Sequence, residues 1–178
     1  LYVWGIQLEA GAFPTSYVRT TTAAVARTAD SATMDFTFNA SEGTFLSQSQ
    51  PIAGNTGEQY ILNANSDGSN FHAHWQISKT QTHTNRVRIA GALTQVGTTV
   101  PTDGTERKFA TAYKLNDYGS SLDGGTVATN GSLGVPVANT QLEIGSRSAA
   151  QFLNGHISRI TYWPKRQVDG FLTYKTQG

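Results

Sequence analysis

The chain of 178 residues contains no cysteine, a single methionine and five prolines, and Asp, Glu, Lys and Arg together make up only 14% of it. Without thiols there is no disulfide framework and no thiolate metal centre, and the redox compartment is left open. Thirteen basic and twelve acidic residues give a net charge of +1, and the basic ones are scattered along the chain. That argues against a nucleic-acid or anionic-membrane surface. No run approaches the roughly 18 apolar residues of a membrane span. The apolar start LYVWGIQL lacks the basic region and length of a signal peptide. Glu and Lys are scarce, which disfavours long helices.

What is abundant is Thr, Ser, Asn, Gln, Gly and aromatic residues, the composition of short strands joined by turns. With 38% hydrophobic residues the chain supports one sizeable core, and a domain of this length buries roughly 70% of its unfolded surface. Alternation and turn punctuation predict strands over Met34–Phe38, Gly43–Ser49, Gln59–Asn63, Phe71–Ser78, Arg86–Leu93, Lys108–Tyr113, Gly119–Leu122, Thr126–Thr129, Gln141–Ile144 and Gly155–Trp163. Asn55-Thr56-Gly57, Ser66-Asp67-Gly68, Asp103-Gly104 and Asp123-Gly124-Gly125 supply turns. This rhythm predicts an all-β fold, an antiparallel jelly-roll β-sandwich. No helix beyond a turn or two is expected, and the tail Val168–Tyr174 is ambiguous between short helix and extended chain.

The stretch Leu142–Arg166, LEIGSRSAAQFLNGHISRITYWPKR, reads as two strands joined by a turn, the second of them a central core strand. Ile160 and Tyr162 share a face there, but Ile157 breaks the period of two. A bulge near Ser158 or Arg159 restores it. Its L-x-I-G, L-N-G-H-I, aromatic pair and basic turn resemble the end of concanavalin A-like (laminin G-like) jelly rolls, above all those in bacteriophage tail-fibre and tail-spike proteins. Two further places resemble the same family. One is Lys108–Tyr113 with Asn116-Asp117-Tyr118, Ser121–Gly125 and Val135-Pro136. The other is the opening W-G-x-Q-L-E-x-G pattern, where Trp4, Gln7, Glu9, Phe13, Pro14, Ser16, Tyr17, Arg27, Ala29 and Asp30 fit as they stand.

The organisation expected is therefore residues 1–22 as closing strands of a preceding β module or a strand exchanged with a neighbour, a linker over 23–33, and the concanavalin A-like (lectin/glucanase) jelly roll over 34–178. Because Leu1 falls in mid-strand, a longer protein is expected. The resemblance implies a non-catalytic module of a phage fibre or spike on the virion exterior. It would be a homotrimer with other virion proteins for neighbours, and would bind a host-surface glycan. A purely structural or decorating module is the alternative, and a glycan-degrading enzyme a second one.

Glucanases of this fold use an E-x-D-x-x-E strand, and no Glu in this chain has an Asp two residues later. Ser121–Gly125 partly matches the S-x-D-x-G turn of sialidase-type propellers, and a hairpin with Asp-Gly at positive φ explains it fully. Asn63, Asn65 and Asp67 before Gly68 carry oxygens at alternate positions in the manner of a calcium loop, but with one carboxylate the residues read as a polar turn. His72, His74 and His83 read as surface histidines rather than a zinc site. No cofactor and no metal is expected. A sugar site needs an aromatic plane beside amides and carboxylates. Two regions offer these: Asn65, Asp67, Asn70, His72 and Trp75, and separately Asn116 and Tyr118.

Overall fold

A computed structural model describes residues 5, 6, 17, 19, 23, 32–51, 57–67, 69–77, 82–97, 104–136, 139–148 and 151–178, with the backbone alone at 66, 67, 72, 74–77 and 82–84. The chain divides into two units, residues 1–30 and 31–178. In the first, the Tyr17 ring lies beside Gly5, 3.5 Å from where a Cβ would stand, and Gly5 has a φ of +72°. Trp4 and most of the expected linker fall outside the described residues.

The second unit contains β1 (Ala32–Asp35), β2 (Glu42–Pro51), β3 (Glu58–Asp67), β4 (Asn70–Ile77), β5 (Thr82–Ile89), β6 (Ala92–Val96), β7 (Arg107–Lys114), β8 (Tyr118–Leu122), β9 (Ala128–Asn130), β10 (Gln141–Ile144), β11 (Gly155–Trp163) and α1 (Asp169–Thr176). A six-stranded sheet has the order β1-β10-β3-β4-β5-β6 and a five-stranded sheet the order β11-β2-β7-β8-β9. Every strand pair is antiparallel. The expected β-sandwich is the observed architecture.

Period-two alternation fills the space between the sheets. Leu62, Ala64, Val87 and Leu142 from one sheet meet Phe45, Tyr113 and Tyr118 from the other, with Phe38, Val96 and Leu133 closing the cluster. Tyr162 is its polar hinge: its ring sits 5.0 Å from Phe45 and 5.3 Å from Phe38. Its hydroxyl accepts the Asn39 amide at 2.9 Å and lies 3.0 Å from the Tyr113 hydroxyl. Burial, then the bond to Tyr162, pushes the Tyr113 hydroxyl far above its ordinary range, and burial does the same to Tyr118. Both rings are thereby kept neutral.

Four expectations need correction. The segment Leu142–Arg166 is no hairpin: β10 and β11 belong to different sheets, and residues 145–154 cross between them. Strand β11 lies at an edge, not the centre, because the chain returns from that crossing onto the outside of β2. Its register slip does fall between Ile157 and Arg159, which sets Ile157, Ile160 and Tyr162 opposite Ser49, Ser47 and Phe45 on one face. Arg86–Leu93 is two strands, because Ala90 and Gly91 both take positive φ, 46° and 84°, the geometry of a tight hairpin. Asn70 accepts the Ala90 amide and Ser69 the Gly91 amide, which holds an Ala-Gly turn that the sequence signals weakly.

The fourth correction is the tail, which forms α1. Eight residues are too few for a stable isolated helix. Packing supplies the stability: Leu172 is fully buried among Leu46, Ala110 and Ala112, and the Phe171 ring meets Trp163 edge-on at 5.2 Å. Asp169 in the first turn and Lys175 in the last complement the helix dipole. The beds for the helix are small residues. A Cβ on Gly119 would come within 3.0 Å of an Asp169 carboxylate oxygen and 3.1 Å of Val127.

Candidate functional site

The outer face of the six-stranded sheet is built by the residues that alternate with its core residues. Asn63 and Asn65 flank the buried Ala64 on β3, and Arg86 and Arg88 flank the buried Val87 on β5. Register aligns Gln141, Asn65, Phe71, Arg88 and Leu93 in one row across β10, β3, β4, β5 and β6. Glu143, Asn63, Ala73, Arg86 and Gln95 form the next row. A slip between Tyr60 and Leu62 turns Tyr60 outward to join Phe71 and Ala73 in a small separate apolar cluster.

Guanidiniums cap that cluster. The Arg147 carbon Cζ sits 4.6 Å from the centre of the Phe71 ring and 5.4 Å from that of Tyr60, and Arg88 lies 5.5 Å from the Phe71 centre. Arg86 donates to the Tyr60 hydroxyl at 2.7 Å and to Glu58 at 3.1 Å. Burial raises the Tyr60 hydroxyl above its ordinary range, against the pull of Arg86 and Arg147, so it remains a neutral acceptor for Arg86.

In the crossing segment, residues 145–148 and 151–154 lie against this face and are pinned at several points. Gly145 donates to Ile61 O, the Ser148 amide to Glu143, Gln151 Nε2 to Glu58, Tyr60 N to Gln151 O, and the Asn154 amide to Gln59. Ser148 and Gln151 take positive φ, 52° and 49°, to make these bonds. Glu143 is buried and also accepts from Asn63 Nδ2, leaving the Asn63 carbonyl oxygen buried without a hydrogen-bond partner.

The sequence-predicted residues divide. Asn65 and Asn70 lie on or beside this face, both half-buried, and the Asn65 side-chain Oδ1 is buried without a hydrogen-bond partner. Asp67, His72 and Trp75 belong to β3 and β4, with His72 paired to Ala64 and Val87 and Trp75 to Tyr60 and Thr84; their side chains lie outside the described residues. The second group stands in the other sheet, so the two regions are not one site. Asn116 is exposed in the β7–β8 turn with a φ of +56°. Tyr118 is corrected: it is fully buried, its ring in the inter-sheet core and its hydroxyl donating to Gly134 O at 2.8 Å, so it offers no plane to a ligand. Among the described residues no group of three or more His, Asp or Glu is placed to hold a metal ion.

Sequence reasoning missed Arg86, Arg88, Arg147, Tyr60 and Phe71. The R-x-R spacing on β5 was the available signal, since period two puts both on one face. Arg147 is 59 positions beyond Arg88 and reaches them only through the crossing segment.

Elsewhere, an open cleft of about 480 Å³ is lined by Gln48, Glu106, Arg107, Lys108, Asp123, Thr176 and Gly178. Glu106 accepts from Ser158 and from Gln48, bonds that lower its carboxyl pKa. Asp123 accepts from Arg107 at 2.9 Å and from the Lys108 amide at 2.8 Å. Its turn is the predicted one, with Asp123 and Gly124 at φ 48° and 73°. A glycosidase acid needs a carboxyl held protonated near neutral pH, and Glu106 is pushed the other way.

No protein-family model matches the chain, and no curated protein matches it in sequence. Solved structures do match in fold. The CBM40 domain of the Ruminococcus gnavus IT-sialidase aligns with a TM-score of 0.64 at 15% identity, over 79% of this chain and 85% of that one. The same domain bound to α2,6-sialyllactose gives 0.63 at 13%, over 77% and 84%. Domain 4 of AbnA, a GH43 extracellular arabinanase from Geobacillus stearothermophilus, in complex with arabinotriose, gives 0.63 at 11%, over 79% and 68%. At these identities the likeness is one of fold: residues 31–178 form a jelly-roll β-sandwich of the concanavalin A-like kind.

Proposed function

We propose that residues 31–178 form a non-catalytic glycan-binding module whose ligand face is the outer face of the six-stranded sheet. The observation that carries this is the row Gln141, Asn65, Phe71 and Arg88, with Asn63 and Arg86 beside it: amides and guanidiniums set around an aromatic cluster on a rigid sheet. Amides and guanidiniums are the groups that read sugar hydroxyls, and a sheet holds them in fixed spacing. The fold shared with carbohydrate-binding domains supports the reading. The motif resemblance supports placing the module in a trimeric phage fibre or spike on the virion, where host glycans are the natural partner. A glycan array probed with the native protein and with an Asn65→Ala/Arg88→Ala variant tests it. Binding that the variant loses is expected. Binding that survives in the variant moves the site elsewhere, and no binding by the native protein removes the proposal.

A structural role in the same appendage is favoured by a different observation. Leu115 and Val168 are 63% and 71% exposed, and Arg166, paired to both Asp117 and Asp169, ties their two segments together at one end of the five-stranded sheet. Apolar residues grouped this way suit a contact with another subunit.

A further inference from the structure

Arg147 differs from Arg86, Arg107 and Arg166 in what it holds. Arg86 pairs with Glu58, Arg107 with Asp123, and Arg166 with Asp117 and Asp169. Arg147 has no carboxylate within salt-bridge distance among the described residues. Its Nη1 reaches only the Tyr60 hydroxyl at 3.4 Å and Gln151 Oε1 at 3.5 Å, both long for hydrogen bonds. A guanidinium has five N–H donors, so most of the donor capacity of this half-buried side chain is unspent.

The nearest carboxylate in sequence is turned to other work. Glu143 is 6% exposed and is taken by Asn63 Nδ2 and by the Ser148 amide, the residue directly after Arg147. The same backbone bond that satisfies Glu143 fixes the turn that lays Arg147 over Phe71 and Tyr60. Glu58 is likewise occupied, by Arg86 and Gln151. Among the described residues, three guanidiniums stand around the aromatic cluster, Arg86, Arg88 and Arg147, beside the carboxylates Glu58 and Glu143, and two of the three rest on one ring. Like charges gathered in a partly desolvated place attract an anion.

We infer that the face is selective for acidic saccharides and that Arg147 is its specificity-determining residue, its guanidinium pairing with a carboxylate of the sugar. This rests on the glycan-binding reading above. A planar carboxylate matches the guanidinium fork in two parallel N–H···O bonds. The pinned turn gives a cation already ordered on its aromatic seat, so little is lost in immobilising it when the ligand arrives.

The test uses uronic-acid oligosaccharides, each beside its counterpart with the carboxyl reduced to a primary alcohol, and sulfated neutral oligosaccharides as a third arm. The native protein binds the carboxylated members at least tenfold more tightly than the reduced ones, and more weakly as salt is raised. Arg147→Gln loses tenfold to a hundredfold on the acidic members and falls to the level of the reduced ones, while Arg147→Lys recovers part of the preference. Far-ultraviolet circular dichroism confirms the fold of each variant, and the acid-to-alcohol comparison on the native protein needs no variant. Equal binding of acidic and reduced members, a preference for the sulfated arm, or an acid preference that Arg147→Gln leaves intact overturns the inference while glycan binding stands. Binding of no saccharide overturns both.

Discussion

The two outer faces of the sandwich are finished in opposite ways. On the five-stranded sheet the outward face has small residues at its middle, Ala110, Ala112, Gly119 and Ser121, with Leu46 and Trp163 beside them, and α1 packs there and buries Leu172 completely. Thr176 locks the end of the helix down, its hydroxyl meeting that of Ser121 at 3.1 Å and accepting from the Gly124 amide at 3.0 Å. On the six-stranded sheet the outward face is mixed, with Asn63, Asn65, Arg86 and Arg88 around Tyr60, Phe71 and Ala73, and what crosses it is a hydrogen-bonded turn that presents Arg147. The first face is a second core. The second face sets guanidiniums and amides around Tyr60 and Phe71, the arrangement on which the proposed binding role rests.

That contrast can be broken from either side. Leu172→Ala removes the anchor of α1 and costs about 2–5 kcal/mol. Urea unfolding measures the loss, and saccharide affinity of the folded fraction stays unchanged if the helix face is purely structural. Alkaline titration probes the layer between the faces. Tyr113 and Tyr118 keep their protons in the fold well above the ordinary value of 10.0. The unfolded chain therefore binds fewer protons than the fold once pH passes 10. Stability is fully present below that pH, and falls above it by up to about 1.4 kcal/mol per pH unit for each of the two rings. Stability curves from pH 8 to 11 read this, and a flat curve contradicts it.

Gly119→Val sharpens the comparison at one atom. A side chain there meets Asp169 and Val127, and overpacking of this kind costs about 1–3 kcal/mol, read as a lower thermal midpoint. The smallest stability effect belongs to the opposite face: Arg88→Ala forfeits the contact with Phe71, worth about 0.5–1 kcal/mol. Its effect on saccharide binding is the larger one, tenfold or more by titration calorimetry.

Much of the fold was legible because period-two alternation and Asp-Gly turns act locally. Asp123-Gly124 takes the positive φ its residues suggest, and the one break in the alternation of β11 marked its bulge. What was not legible depended on partners distant in sequence. The helix at Asp169 exists because Ala110 and Ala112 leave room for Leu172, and the octapeptide alone carries little sign of it. The Ala90-Gly91 turn is held by Asn70 and Ser69, twenty or more residues earlier. At the candidate site, Asn65 and Asn70 stood out through their chemistry, whereas Tyr118 was misread because an aromatic residue beside polar ones looks the same whether its ring points to the core or to solvent. The arginine cluster was hidden by scatter: basic residues far apart in sequence meet at Phe71 only once β4, β5 and the crossing segment are in place.

Which face meets the ligand is read directly by amide chemical-shift mapping of the labelled protein during titration with an array-positive saccharide. Perturbed amides are expected on β3, β4, β5 and residues 145–148, with β7, β8 and α1 silent. Perturbations confined to α1 or to the cleft around Glu106 and Asp123 contradict that expectation.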